Sequence, residues 1–171
     1  MNEPADVTLR TAGVHDVDTI SDLFLACWRT SYRDVLPPHL IEMYGPASAR
    51  DLWRYSFADG PASREVIVAE APDHSLTGVI SMGRDPDLPS SGHVFSLYVH
   101  PEAQGLGVGA RLMSAALERF RADGLSQATL WVFRANAGGI AFYQHLGWIP
   151  DGGTRVEPEY GEPELRLTRL M

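Results

Sequence analysis

A β-α-β unit in the second half of the chain constrains the fold more than any other part of the sequence. The segment HVFSLYV (93–99) predicts a strand, and residues 111–121 carry their apolar side chains on one helical face. ATLWVF (128–133) predicts the next strand. Two strands joined through a helix in one sheet run parallel, with a right-handed crossover. These two strands are therefore expected to be parallel neighbours with a helix packed on them.

Shorter patterns fill the rest of the chain. Alternating or continuous apolar runs predict strands at VTLR (7–10), EVIVAE (65–70), SLTGVISMGR (75–84) and ELRLTRL (164–170). Helical spacing predicts helices at 16–31, 39–44, 47–57 and 140–145. The strands of the first half can pair as antiparallel neighbours, so a mixed sheet covered by helices follows.

Length, charge and cysteine content narrow the class of protein. A chain of 171 residues suits one domain, here taken as residues 1–171. The net charge of -8 argues against nucleic acid or an anionic membrane as the main partner. No apolar run approaches the ~18 residues of a membrane span, and no signal peptide is visible. With Cys27 as its single cysteine, the chain is expected to be cytoplasmic.

A glycine-rich turn separates the strand at 93–99 from the helix that follows. Such a turn forms an anion site, because the first helical N–H groups lack partners and the helix dipole is positive there. Read from Gly105, GLGVGA satisfies the dinucleotide fingerprint G-x-G-x-x-[G/A]. Read from Gln104, QGLGVG satisfies Q-x-x-G-x-G. The letters alone leave open the pyrophosphate of NAD, that of another cofactor, or a plain turn.

The surroundings fit a dinucleotide poorly. Its fingerprint follows a strand almost directly and usually opens the domain. Here HPEAQ (100–104) intervenes, and too few residues follow for the other strands of a doubly wound domain. A P-loop is excluded, because no Gly-Lys-[Ser/Thr] completes it.

LYVHPEAQGLGVGARLM (97–113) contains a predicted strand ending in Val-x-Pro, then Q-x-x-G-x-G and a helix. WVFRANAGGIAFYQHLGW (131–148) follows with a predicted strand, Asn, Phe-Tyr and L-G-W. The two segments resemble the acetyl-CoA motifs of the GNAT superfamily of N-acetyltransferases, in which the first motif is a strand ending in Val-x-Pro, then Q/R-x-x-G-x-G/A and a helix, and the second is a strand, Asn, A-x-x-F-Y and L-G-W/F. The two motifs cover about residues 92–149. The resemblance implies an α/β (α+β) fold with a mixed, mostly antiparallel central sheet, a parallel splayed strand pair and about four flanking helices.

The resemblance also implies a binding site for acetyl-CoA. The pantetheine arm would lie along the backbone of Leu97, Tyr98 and Val99, with an N–H near Val99 polarising the acetyl carbonyl. Asn136 would hydrogen-bond the cofactor, unless it is a helix N-cap. The N–H donors to the pyrophosphate would come from Gln104, Gly105, Leu106, Gly107, Val108, Gly109 and Ala110.

Two residues are expected to do the chemistry. In the family, a tyrosine at the position of Tyr143 protonates the departing thiolate, and its alternative here is a packing role. Many relatives carry a glutamate early in the motif strand, acting through water, close to the position of His93. An imidazole can accept the amine proton there, although a structural histidine is the alternative. The sequence contains no H-E-x-x-H and no cysteine pair, so no metal is expected.

Gly138 and Gly139 depart from the family pattern, which more often has helix formers there. Each glycine inside a helix costs about 1 kcal/mol relative to alanine. The helix is therefore expected either to start after them or to bring its first turn close to the cofactor.

The implied reaction is direct acetyl transfer to a primary amine without a covalent enzyme intermediate. The acceptor is expected to be a small-molecule amine or a peptide amine, and a homodimer is left open. Aromatic side chains and carboxylates of the first two helical regions suit a cationic amine, or else the aromatic residues form core and the acids are solvated; they are Trp28, Tyr32, Tyr44, Trp53, Tyr55, Glu42 and Asp51. The alternative function is a non-catalytic acyl-CoA-binding sensor on the same fold.

Overall fold

A computed structural model describes residues 6–58 and 64–171 of the chain. In these ranges the strands are β1 (Thr8–Thr11), β2 (Glu65–Glu70), β3 (Leu76–Arg84), β4 (Gly92–Val99), β5 (Gln127–Phe133), β6 (Ile149–Val156) and β7 (Pro163–Leu170). The helices are α1 (Val17–Ser31), α2 (Pro38–Ile41), α3 (Pro46–Ser56), α4 (Val108–Ala122) and α5 (Ala137–His145). Short 3-10 turns lie at Val14–Asp16 and Pro101–Ala103.

The strands form one sheet in the order β1-β2-β3-β4-β5-β7-β6. Every neighbouring pair is antiparallel except β4 and β5, which are joined through α4 and run parallel as predicted. This mixed, mostly antiparallel sheet with five helices confirms the predicted fold class.

Alternation along the strands divides the core between the two faces of the sheet. Val66, Val68 and Val79 pack towards α1 and α3, together with Phe24 and Trp53. The other face packs against α4; its buried residues include Ile67, Ile80, Met82, Leu112, Met113 and Leu130. The helices thus cover both faces, and the ends of β4 and β5 become the place where a ligand can enter.

The parallel pair is short and then splays. β4 pairs with β5 at Gly92, His93 and Val94 alone within the described residues, although both strands continue well beyond. Against β3, Ser81 faces Ser96 while Met82 faces Val94, so Phe95 is the extra residue of a β-bulge. A bulge bends its strand and increases the local twist, which turns the rest of β4 away from β5.

Three parts of the sequence prediction need correction. Strand β6 was not predicted, because IPDGGTRV has no apolar alternation and forms an exposed edge strand held by β7. Helix α4 begins at Val108, three residues before the predicted start, and α2 is a single turn of four residues, shorter than the predicted 39–44. Within the two described ranges, no helix is long and apolar enough to cross a membrane.

Candidate active site

The turn before α4 depends on two glycines in the left-handed region. Gly105 has φ +78° and Gly107, the N-cap of α4, has φ +82°. Other residues pay a steric penalty in this region. A Cβ at either position would meet no heavy atom within 4 Å, so both glycines border open space. The backbone here can therefore approach a ligand closely.

The amides of the first turn of α4 point out of the helix end. The first helical hydrogen bond runs from the Arg111 N–H to the Gly107 carbonyl, at 3.1 Å. The N–H groups before it have no carbonyl of the helix to bind, and the helix dipole adds partial positive charge. This arrangement is suited to a phosphate group.

Gly109 brings three elements together at the same point. A Cβ there would lie 3.1 Å from Phe142 Cζ and 3.4 Å from Val99 Cγ2. The absence of a side chain therefore allows the end of β4, the start of α4 and the middle of α5 to touch.

The end of β4 is held by side chains from outside the sheet. The Val99 carbonyl accepts from Gln104 Nε2 at 3.1 Å and from Cys27 Sγ at 3.0 Å, and Gln104 also donates to Ser31 Oγ. Burial raises the pKa of the Cys27 thiol to about 12, so this thiol stays protonated and acts as a donor. Cys27 therefore belongs to the packing of the site and is not a nucleophile.

Backbone alternation decides which amides of β4 face the splayed gap. The His100 N–H donates to the Thr77 carbonyl on the β3 side, at 2.8 Å. Because neighbouring residues in a strand point their amides to opposite edges, Val99 and Leu97 point theirs towards the gap. Tyr98 then points its backbone to β3, and its ring packs against those of Phe24 and Trp53.

A cavity of about 680 Å³ lies against these groups. Most of the residues predicted to bind the cofactor line it: Leu97, Tyr98, Val99, Gln104, Gly105, Gly107, Val108, Gly109, Ala110, Asn136 and Tyr143. Leu106 is in the same turn but outside the lining. Helix α1 and the residue that follows it add Cys27, Ser31 and Tyr32, which no local sequence signal links to this cavity.

Asn136 caps α5, which makes the first turn of that helix possible despite its glycines. Its Oδ1 accepts from the Gly139 N–H at 2.9 Å. A Cβ on Gly139 would lie 2.5 Å from Asn136 Nδ2, so the cap needs glycine there. Helix α5 begins at Ala137 and includes both glycines, so the expectation of a later start is wrong. Asn136 and Gly138 both line the cavity.

A second cavity of about 410 Å³ lies beside the splayed strands, on the sheet face covered by α1. Five residues line both cavities: Tyr32, Leu97, Tyr98, Asn136 and Tyr143. Trp28 also lines the second cavity, whereas Tyr44, Trp53, Tyr55, Glu42 and Asp51 from the first helices do not. The two cavities therefore meet at the gap between β4 and β5.

Tyr143 lies at this meeting point. It is half-buried, and its ring packs 5.3 Å from that of Phe142 and 6.4 Å from that of Trp148, measured between centroids. Burial raises the pKa of the phenol to about 12. The hydroxyl is therefore neutral, and able to donate a hydrogen bond, throughout the ordinary pH range.

His93 lines the second cavity as part of a buried polar chain. The side chain of Thr129 donates its hydroxyl proton to Asp85, and His93 Nδ1 lies 2.7 Å from the same hydroxyl oxygen. Since that hydroxyl has one proton to give, His93 donates from Nδ1 and keeps a lone pair on Nε2. Burial lowers the pKa of His93 to about 4, with the Asp85 charge opposing this shift. The imidazole is therefore uncharged at neutral pH.

The buried imidazole makes stability depend on pH. Its pKa is about 4 when folded and about 6.5 when unfolded, so the unfolded chain binds more protons between these values. The contribution of His93 to the free energy of unfolding is fully present above the unfolded-state pKa. It decreases by about 3 kcal/mol as the pH falls through this window. We expect urea unfolding at pH 7, 6, 5 and 4 to show this loss.

His93→Gln is the matched variant, because an amide can still bond Thr129 but does not titrate. The difference in unfolding free energy between the two proteins should shrink as the pH falls from 7 to 4. Parallel curves for the two proteins would show that His93 does not titrate in this window.

Among residues 6–58 and 64–171, no three His, Cys, Asp or Glu side chains form a group that could hold a metal ion. The linings of the two cavities include backbone amides, tyrosines, His93, His145 and charged side chains. These groups can donate and accept hydrogen bonds.

Comparisons with known proteins agree with this geometry. The model of the acetyltransferase (GNAT) family matches residues 18–148. The uncharacterized N-acetyltransferase YuaI of Bacillus subtilis (strain 168) is 28% identical over 140 residues, which cover 81% of this chain and 78% of that protein.

Two solved structures show the same fold. PaiA N-acetyltransferase from Thermoplasma acidophilum, in complex with coenzyme A, has a TM-score of 0.71 at 18% identity, covering 97% of this chain and 99% of its own. YncA, a putative acetyltransferase from Salmonella typhimurium with its cofactor acetyl-CoA, has a TM-score of 0.70 at 19% identity, covering 97% and 94%.

Proposed function

The chain belongs to the acetyltransferase (GNAT) family and is an acyltransferase, and we propose that it moves the acetyl group of acetyl-CoA directly onto a primary amine. The observation that carries this proposal is the meeting of two cavities at the splayed gap between β4 and β5. One cavity has the features of a cofactor site and the other is open to a second substrate. A direct transfer needs both substrates at one point, without a nucleophile from the protein.

The cofactor cavity suits acetyl-CoA at its phosphate end. The turn around Gly105 and Gly107 leaves open space above the backbone, and the first residues of α4 line the same cavity. We assign the pyrophosphate to these amides, because neutral backbone donors bind an anion without help from the net charge of -8.

The thioester end is assigned to the edge of β4. Leu97 and Val99 offer main-chain groups along which an extended pantetheine arm binds like an added strand. We assign the N–H of Val99 as the donor to the acetyl oxygen as negative charge develops there. A fixed donor of this kind stabilises the transition state more than the ground state.

Tyr143 is assigned to the departing sulfur. A thiol has a pKa of about 8.5, so a phenol shifted to about 12 is the weaker acid. Complete transfer of its proton to a free thiolate is therefore uphill. We propose that Tyr143 donates a hydrogen bond while the carbon–sulfur bond breaks, and that its proton moves only as the amine proton is given up.

His93 is proposed as the group that receives the amine proton, through water. Its uncharged Nε2 carries the lone pair, and Asp85 stabilises the imidazolium through Thr129. The low pKa means that it holds the proton only transiently. At a fixed concentration of free amine, His93→Gln should lower kcat/KM for the acceptor at least tenfold, and an unchanged value would leave His93 with its packing role alone.

Asn136 allows a test of its two roles with two substitutions. Asn136→Ala removes the N-cap and should lower the free energy of unfolding by about 1 kcal/mol. Asn136→Asp keeps an equally good cap but has no amide to donate and adds negative charge near the cofactor. If Asn136 also binds the cofactor, Asn136→Asp should match wild type in stability but have a higher KM for acetyl-CoA. Equal KM values would restrict Asn136 to its capping role.

The activity itself is tested by following thiol release. Purified protein, acetyl-CoA and a panel of primary amines should give amine-dependent release of free CoA and an acetylated product of matching mass. Tight binding of acetyl-CoA with no turnover of any amine would contradict the proposal and favour the non-catalytic alternative.

A further inference from the structure

Arg64 is a partly buried cation on the wall of the second cavity, which is the proposed acceptor cavity, and it also borders a third cavity of about 1010 Å³. It directly precedes β2, and its guanidinium carbon lies 3.9 Å from the ring centroid of Phe95 and 5.5 Å from that of Tyr55. Its Nε is buried and has no hydrogen-bond partner within the described ranges. A guanidinium stays protonated in proteins, so Arg64 brings a positive charge to this cavity, while its buried Nε is an unused donor behind the cavity wall.

Arg155 lines the same cavity but, unlike Arg64, is paired with carboxylates. Its Nε lies 2.6 Å from Glu164 and its Nη1 lies 2.7 Å from Glu157, so two carboxylates balance its charge. Arg64 makes no ion pair with any carboxylate in residues 6–58 and 64–171. Since a buried charge is costly unless it is paired, Arg64 is the cation of this cavity that is prepared for an external anion.

The position of Arg64 sets it apart from the point of transfer. Phe95, under the guanidinium, precedes Leu97 by two residues on β4, and a strand rises about 3.3 Å per residue. The cation therefore lies about 7 Å along the strand from Leu97 and about 13 Å from Val99, whose N–H is assigned to the acetyl oxygen. An acceptor that reaches both places has its amine and its anion separated by a spacer, unlike an α-amino acid reacting at its α-amine.

Resting on the proposed function, we propose that the acceptor is an ω-amino carboxylate whose carboxylate binds Arg64 while its amine reaches the gap beside Leu97. A planar carboxylate can take two parallel hydrogen bonds from a guanidinium. A dianionic phosphate is disfavoured, because Asp85, Asp87 and Glu157 also line the cavity. The aromatic walls suit the methylene spacer.

A matched pair of amines tests this assignment. 6-Aminohexanoate and hexylamine share one chain length and differ in the carboxylate. We expect kcat/KM for 6-aminohexanoate to exceed that for hexylamine at least tenfold, and shorter 3-aminopropanoate to be the poorer carboxylate. Arg64→Gln should bring the 6-aminohexanoate to hexylamine ratio to within about twofold of one, and Arg64→Lys should retain part of the preference.

Arg54→Gln is the control, because Arg54 is exposed on α3 and pairs with Asp51 outside the cavity. It should keep the wild-type ratio. Equal rates for the two amines with wild-type protein, or an unchanged ratio in Arg64→Gln, would overturn the assignment.

A binding measurement separates this inference from the proposed function. Hexanoate has no amine to acetylate, and calorimetry should detect its binding to wild type and a loss of at least tenfold in Arg64→Gln. Hexanoate binding without acetylation of any amine would remove the enzymatic proposal and leave the carboxylate site. Amine acetylation without hexanoate binding would support the enzymatic proposal and remove the carboxylate site.

Discussion

The Tyr143→Phe protein is expected to turn over about 10²-fold more slowly than wild type, with the acetyl-CoA KM changed by no more than about twofold. The substitution removes only the hydroxyl, so the ring contacts with Phe142 and Trp148 stay in place. The loss falls on kcat because the departing sulfur becomes charged only as the thioester breaks. A hydrogen bond to such a charge is worth about 1.5–3 kcal/mol, which corresponds to about 10- to 150-fold in rate.

Burial of Tyr143 also predicts the pH dependence of this step. With a pKa of about 12, the phenol does not ionise below about pH 11. Wild-type kcat should therefore show no decline from Tyr143 between pH 7 and pH 10. A decline with an apparent pKa near 10 that disappears in Tyr143→Phe would show that the hydroxyl is more exposed than its burial indicates.

Steady-state kinetics, followed by thiol release, measure kcat and the acetyl-CoA KM for Tyr143→Phe and wild type. Thermal unfolding of the two proteins provides the control for stability. Equal melting temperatures would confirm that the substitution leaves the packing of α5 intact. An unchanged kcat would remove Tyr143 from the chemistry, while a rise in the acetyl-CoA KM alone would make it a binding residue.

The central part of the fold could be predicted from the sequence, because the signals there are local. The apolar pattern of β4, the glycine turn and the amphipathic α4 lie within one continuous stretch, and the crossover rule sets the direction of β5. Strand β6 could not be predicted in this way. Its segment contains Pro150, Gly152 and Gly153, faces solvent, and becomes a strand through hydrogen bonds to β7.

The start of α5 shows how one side chain can override propensity. Two consecutive glycines, Gly138 and Gly139, favour a later start, yet the Asn136 cap begins the helix before them. The cap and the glycine at its third position act together, since a Cβ on Gly139 would collide with the Asn136 amide. Propensity read one residue at a time misses this pairing.

The candidate site likewise contains residues that the sequence indicates and residues that only the folded structure brings together. The turn and Tyr143 belong to motifs that can be read from the letters, and the structure places them around one cavity. Arg64 gave no sequence signal, because its relation to Phe95 arises only when β2, β3 and β4 pair. The lowered pKa of His93 likewise follows from its burial in the folded chain, beside Thr129, which is distant in sequence.

Gly107→Val is expected to weaken acetyl-CoA binding about 10²-fold. The native φ of +82° is left-handed, and a β-branched side chain there costs about 1–3 kcal/mol. The chain can relieve this strain only by rotating the turn, which moves the amides at the start of α4 away from the pyrophosphate. Each lost hydrogen bond to a charged group is worth about 1.5–3 kcal/mol, so one or two such losses account for the effect.

Gly124→Val is the matched control, because Gly124 ends the same helix with φ +73° and also borders open space. Both substitutions introduce the same side chain into the same backbone region at opposite ends of α4, so both should lower the free energy of unfolding by a similar amount. Of these two glycines, Gly107 lines the cofactor cavity and Gly124 does not. Calorimetry with CoA should therefore show weaker binding in Gly107→Val and wild-type binding in Gly124→Val. Equal losses in the two proteins would trace the effect to general destabilisation of α4, and no loss in Gly107→Val would place the pyrophosphate elsewhere.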